Sequence, residues 1–238
     1  MKKILFGLFL SVGLNADVLN VATTPNFPPY EYIENNELKG YDVDIINEIG
    51  KRLGVEINFK HMDFDALIPT LKSGKVDLIG AILKKTPVRE KAVSFTIDFK
   101  QSSNYFLQKS DGKNVDEIPS CDKFDFSDKI FGTELGTVQY DIAKKLSKKE
   151  VKGFGGSSIA ILALQSNKVD IVAVDKTAAK KFLEKNPDLS VICEYPDEAG
   201  QGFTVNKGND ELLEKLNKTL QDMLDDGTIE AIAKKYDI

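Results

Sequence analysis

The stretch Leu71-Lys72-Ser73-Gly74-Lys75-Val76-Asp77-Leu78-Ile79 returns in the second half of the chain as Leu164-Gln165-Ser166-Asn167-Lys168-Val169-Asp170-Ile171-Val172. In both copies an apolar helix end passes through a polar turn into a strand apolar enough to be covered on two faces. Common helix-turn-strand chemistry can produce such a likeness by itself, but the elements around each copy also follow one order. Val18 to Thr23 reads as a strand, and Val43, Ile46, Ile49 and Leu53 share a helical face closed by Gly54. Val55, Ile57 and Phe59 alternate as a strand, Ala66 to Leu71 makes a short helix, and Val76 to Ile82 is a buried strand. The second half runs Ile130-Phe131, Asp141 to Leu146, Val151 to Phe154, Ser158 to Leu164 and Val169 to Val174 in the same alternation. Strand-helix-strand-helix-strand order predicts a parallel sheet flanked by helices, twice over. Ligands of open parallel sheets bind beyond the carboxyl ends of the strands, so the residues just after each copy are where chemistry is sought.

Composition removes several function classes. With 32 Lys and Arg against 37 Asp and Glu, the formal charge of −5 gives no long-range attraction for phosphate backbones or anionic lipid, and nucleic acid is not an expected partner. His61 is the single histidine and Cys121 and Cys193 are far apart, so no metal-ligand spacing exists and a Ser-His-Asp arrangement would rest on one imidazole. No metal or cofactor is expected. At the N-terminus Lys2 and Lys3 precede an apolar run from Ile4 to Leu14, then Asn15-Ala16 ahead of Asp17. This is the layout of a secretory signal at 1–16, although Leu14 is bulky for its place before the cut. An apolar first strand or an uncleaved anchor is the alternative. The run is short for a membrane span and no cysteine lies at the cut, so a soluble exported monomer without stable membrane insertion is expected.

Beyond the first copy stand Lys84-Lys85-Thr86-Pro87-Val88-Arg89, and beyond the second stands Asp175. An arginine and an aspartate at equivalent strand ends of two facing units would supply a carboxylate clamp and an ammonium acceptor, the two halves of an α-amino acid zwitterion. Singly, Arg89 reads as a solvated charge and Asp175 as the cap of a helix over Lys176 to Glu184. Together with the repeat, the paired reading is preferred.

The chain resembles the periplasmic solute-binding proteins of polar amino-acid ABC transporters, family 3. The resemblance is carried by Phe27-Pro28-Pro29-Tyr30-Glu31-Tyr32, Gly40-Tyr41-Asp42-Val43-Asp44, Phe64-Asp65-Ala66-Leu67-Ile68-Pro69, Thr86-Pro87-Val88-Arg89, Gly136-Thr137, Val169-Asp170 with Asp175, and Lys207-Gly208 with Asp226-Gly227-Thr228. It implies a two-lobed α/β fold, each lobe a mostly parallel sheet flanked by helices, with 17–102 and 201–238 in lobe 1 and 103–200 in lobe 2. Two crossings, near Phe99 to Ser103 and Ala199 to Gly202, would act as hinges. It further implies binding of a free amino acid by lobe closure, delivery to the membrane permease of an ABC importer, and a periplasmic location. By position, Phe27 and Phe64 match ring positions that sandwich the ligand, and Arg89 matches the carboxylate-binding arginine. Ile82 and Lys84 stand where a backbone amide and a small hydroxyl are usual. Asp175 matches the ammonium-binding aspartate, and Glu134, Val138 and Gln139 flank the Gly136-Thr137 turn, whose amides can add to carboxylate binding.

Departures from the family pattern bear on specificity. Lys84 replaces a hydroxyl residue, Val138 replaces a second threonine, and Thr24 replaces an aspartate that relatives taking basic ligands carry, which argues against a basic ligand. Glu134 would receive a cationic side chain, or pair with Lys84 across the cleft and cancel both charges, while Lys84 alone would favour an acidic ligand; a neutral polar amino acid is the ligand preferred. Two rivals remain, a periplasmic dehydratase on this scaffold with Glu134 as general acid and Lys84 as charge stabiliser, and a ligand-sensing partner of a chemoreceptor. In an exported chain Cys121 and Cys193 form either a disulfide within the second lobe or two buried thiols.

Overall fold

A computed structural model describes residues 17–110, 117–197 and 199–238. The expected signal peptide, 1–16, lies outside them. In chain order the first lobe opens with β1 (Val18–Thr23), β2 (Asn26–Phe27), β3 (Glu31–Glu34) and β4 (Glu37–Lys39). It continues through α1 (Tyr41–Leu53), β5 (Glu56–His61), α2 (Leu67–Lys72), β6 (Leu78–Ile79), α3 (Pro87–Ala92) and β7 (Val93–Phe95). The chain then crosses into the second lobe as β8 (Asn104–Lys109), β9 (Phe131–Glu134), α4 (Val138–Leu146), β10 (Val151–Phe154), α5 (Ser157–Gln165), β11 (Ile171–Asp175), α6 (Lys176–Lys185) and β12 (Leu189–Tyr195). It returns as β13 (Thr204–Asn206) and ends in α7 (Asp210–Asp225) and α8 (Thr228–Lys235).

Two five-stranded sheets result, in the orders β5-β1-β6-β13-β7 and β10-β9-β11-β8-β12. Each has three parallel strands at one side, then one strand antiparallel to both its neighbours. That reversed strand, β13 in one sheet and β8 in the other, is the first strand formed after a crossing. Each sheet therefore receives one strand from a chain arriving from the opposite lobe, and the strand orders are equivalent. The small sheet β2-β3-β4 stands beside the first.

The repeated sequence occupies equivalent places, joining α2 to β6 and α5 to β11. Gly74 and Asn167 both take the left-handed conformation at the helix end, with φ of 71° and 58°, which glycine and asparagine tolerate best. The repeated aspartates anchor the neighbouring strand in the same way. Asn20 N–H donates to Asp77 Oδ2 and Ile130 N–H to Asp170 Oδ2, both at 2.8 Å. The likeness is thus structural in origin, a shared way of starting the third strand of each sheet.

Packing fixes the helices against these sheets. α1 buries Val43, Ile45, Ile46 and Ile49 and ends at Gly54, whose φ of 70° closes the helix. Ile46 sits so tightly on β6 that a Cβ at Gly80 would come within 2.1 Å of its Cδ1. The second lobe is tied by Cys121 and Cys193, which are bonded with Cα atoms 4.9 Å apart. Between the lobes the crossings run side by side. Gln201 is bridged to Lys84 on one side and Lys100 on the other, with Gln201 N–H donating to Lys100 O at 3.0 Å.

Candidate functional site

The carboxyl ends of β6, β9 and β11 and the hinge face one cavity between the lobes. All ten site residues read from the sequence line it: Phe27, Phe64, Ile82, Lys84 and Arg89 from the first lobe, and Glu134, Thr137, Val138, Gln139 and Asp175 from the second. Ser157, Ala173, Val174 and Gln201 also line it and escaped the sequence reading.

Arg89 is positioned by α3, whose start is fixed by Pro87 and by Thr86 Oγ1 accepting Arg89 N–H at 3.2 Å. Its guanidinium donates from Nη1 to Lys84 O at 2.8 Å and from Nη2 to Gly136 O of the other lobe at 2.9 Å. It lies over the Phe64 ring, 5.5 Å from the centroid. Burial lowers its pKa to about 10, so it stays cationic near neutrality. Three of its five N–H donors remain for an anion. Phe27, nearly buried, stacks on Tyr30 with ring centroids 5.7 Å apart.

Asp175 ends β11 and caps α6, combining both roles weighed from the sequence. Its Oδ1 accepts Thr177 N–H at 2.9 Å, Ala178 N–H at 3.3 Å and the Tyr30 hydroxyl of the other lobe at 3.1 Å. Burial raises the Tyr30 pKa well above 10, so this phenol is a hydrogen-bond donor. Asp175 Oδ2 is buried without a partner.

Glu134, 4% exposed at the end of β9, accepts the Ser157 hydroxyl on Oε2 at 2.8 Å. Its Oε1 has no partner, and burial pushes its pKa up to about 7. Below it the Thr137 hydroxyl caps α4, accepting Tyr140 N–H and donating to Glu134 O at 2.7 Å. Gly136 takes φ +80° in the turn, where a Cβ would approach Asp65 of the other lobe to 2.9 Å. Gln139 donates to Asn104 Oδ1 at 2.6 Å, an internal contact.

Two expectations are corrected. Lys84 does not pair with Glu134. Its ammonium, 4% exposed, reaches Asp197 Oδ2 at 2.6 Å and Ser102 O at 2.7 Å, joining the strand end of the first lobe to both crossings. A buried ammonium takes the nearest carboxylate that also lets its other protons reach a carbonyl, and the returning crossing supplies Asp197 there. Ile82 also differs from expectation. Its N–H is committed to Asp42 Oδ2 at 2.7 Å, and φ of 44° is an unusual conformation for a β-branched residue. Asp42 is fully buried, which raises its pKa to about 7. Ile82 therefore offers the cavity its side chain and not its amide.

Among the described residues no group of three or more His, Cys, Asp or Glu is placed to hold a metal ion, and no helix is long and apolar enough to cross a membrane. The cavity is lined by the Arg89 guanidinium and by Asp175 and Glu134, each of which keeps one buried carboxyl oxygen without a partner.

Known proteins fit this geometry. The chain is 37% identical over 224 residues to a probable histidine-binding protein of Campylobacter jejuni, covering 92% of this chain and 85% of the relative. It is 31% identical to the putative ABC transporter arginine-binding protein 2 of Escherichia coli K12, covering 99% of each. Among solved structures, an ancestral arginine-binding protein superposes with a TM-score of 0.84 at 36% identity, covering 92% of this chain and 97% of the other. That protein is known bound to arginine and bound to glutamine. These relatives are named as binding proteins and not as enzymes, and the two-lobed amino-acid-binding fold is the one seen here. Residues 19–237 match the bacterial extracellular solute-binding proteins, family 3, and the chain belongs to that family.

Proposed function

We propose that this protein binds a free α-amino acid with a cationic side chain, arginine or histidine in type, and presents it in the periplasm to the membrane permease of an ABC importer. The observation that carries the reading is Glu134 Oε1, buried at the cavity wall without a partner while Lys84 is held by Asp197. The neutral polar ligand read from the sequence rested on Lys84 cancelling that charge and on Thr24 standing where basic-ligand relatives carry an aspartate. Thr24 does not line the cavity, and the charge facing the side chain comes from Glu134 instead. With Lys84 engaged elsewhere, the cavity presents Arg89 to the α-carboxylate, Asp175 Oδ2 to the α-ammonium and Glu134 to the side chain. Phe27 and Phe64 would flank the ligand.

Closure follows from the split of these groups between lobes 17–102 with 201–238 and 103–200. The cation for the carboxylate is in one lobe and the two anions are in the other, so a bound zwitterion favours the closed form. Arg89 with Gly136 O and Tyr30 with Asp175 bridge the lobes.

A neutral side chain is the second reading, and one observation favours it. Glu134 with a pKa of about 7 is partly protonated near neutrality, and a carboxylic acid can donate to a side-chain amide. The relative bound to both arginine and glutamine is consistent with such a site.

Native mass spectrometry of the compound retained on purification, followed by calorimetry with a panel of amino acids, tests the proposal. Tighter binding of arginine or histidine than of glutamine and glutamate supports it. Preference for an acidic amino acid, or no binding of any amino acid, overturns it.

A further inference from the structure

Gln201 stands on the returning crossing, fully buried at 0% exposure, and lines the cavity. Neither end of its side-chain amide has a hydrogen-bond partner. Three polar side chains that line the cavity or flank it are engaged elsewhere. Lys84 is held by Asp197 and Ser102 O, and Asn104 and Gln139 pair with each other. A buried primary amide with both ends unmet is costly unless something in the cavity meets it.

We propose that Gln201 is a ligand contact carried by the hinge, its Nε2 donating to the α-carboxylate of the bound amino acid. The inference rests on the amino-acid reading above. Three observations select the carboxylate end. Gln201 is bridged directly to Lys84, whose carbonyl holds Arg89 Nη1 at 2.8 Å, so the amide stands beside the strand end that positions the guanidinium. Paired residues on antiparallel strands project to one face, which puts Gln201 between Lys84 and Lys100, with the Lys100 ammonium, which has no carboxylate partner within 4 Å among the described residues, as the nearby cation. Apart from Arg89, the two first-lobe positions beside it offer no donor, because the Ile82 N–H is committed to Asp42 and the Lys84 ammonium to Asp197 and Ser102 O. Gln201 supplies the donor that those positions do not, and it supplies it from a segment whose backbone conformation sets the angle between the lobes.

Calorimetry on the parent, Gln201→Leu and Gln201→Glu tests this with L-arginine and with every other panel amino acid that the parent binds. Removing a donor to a charged group is expected to weaken every ligand by roughly 10- to 100-fold, to the same extent whatever the side chain. Gln201→Glu sets a carboxylate against a carboxylate and is expected to be weaker still. Thermal melting checks that each variant folds, and Gln201→Met replaces Gln201→Leu if the latter does not. Affinity within threefold of the parent in Gln201→Leu overturns the proposal. So does a loss confined to one side-chain class, or parent-like binding by Gln201→Glu. A parent that binds no amino acid overturns the underlying reading instead, an outcome visible before any variant is made.

Discussion

The two lobes share a strand order and differ in what they leave for a ligand. At the first lobe's wall Lys84 is neutralised by Asp197, the Ile82 amide is held by Asp42, and Arg89 has already given two donors to carbonyls. At the second lobe's wall Asp175 and Glu134 each keep one carboxylate oxygen without a partner. Similar scaffolds have thus been committed differently: the first lobe supplies a held cation and aromatic faces, and the second supplies unmet negative charge. A buried charge with no internal partner has a strong demand for an external one, so under the proposed function the second lobe would set the charge of what is bound.

The sharpest way to break this comparison is at Lys84. If the first lobe's lysine is structural, Lys84→Met strands Asp197, only 14% exposed, and is expected to cost about 3–5 kcal/mol of stability. Lys84→Met with Asp197→Leu should recover most of that loss in denaturant unfolding, and neither should change the rank order of ligands in calorimetry. A rank order that moves toward basic ligands in Lys84→Met would restore Lys84 to the binding site.

Truncating the charges that face the ligand comes next. Arg89→Ala and Asp175→Asn are each expected to weaken binding by about 2–5 kcal/mol, more than two decades at the upper end. Asparagine at 175 can still cap α6, so loss of binding there reports the charge and not the helix. Calorimetry showing both variants within a factor of three of the parent would remove the proposed clamp.

The disulfide distinguishes the lobes in stability. Cys121 and Cys193 lie 72 residues apart and both belong to the second lobe. Replacing them with serine is expected to cost about 2–4 kcal/mol, with hydrogen exchange rising in β8, β12 and their neighbours and not in β1 or β5. Uniform acceleration across both sheets would show that the bond stabilises the molecule as a whole.

The smallest effect is the most diagnostic of Glu134. Its pKa of about 7 in the free protein means that a cationic side chain must displace a proton below that pH. Arginine affinity should therefore fall as pH drops below 7, by at most about tenfold per unit, and the dependence should vanish in Glu134→Gln. The raised pKa acts on stability in the opposite sense. Glu134 and Asp42 favour the protonated folded form, so the ligand-free protein should lose stability as pH rises from the usual carboxylate range toward 7, and arginine should offset the part due to Glu134. A pH-independent arginine affinity would place Glu134 away from the ligand's charge.

Sequence periodicity was sufficient for the two α/β units, because burial of an apolar face is a local, repeated requirement that each helix and strand must satisfy alone. Of the ten cavity residues, Arg89 and Asp175 were legible from the strand ends beyond the repeat, and the other eight came from the resemblance to family 3, position by position. The reversed strands β8 and β13 were not read, being given their place by a chain arriving from the other lobe. Nor was the partner of Lys84. Asp197 is 113 residues away on the returning crossing, and a long flexible side chain chooses among carboxylates by distances that only the closed tertiary structure sets. The same holds for the Ile82 amide and for Gln201: which buried polar group is satisfied internally, and which is left for a ligand, depends on every neighbour being in place at once.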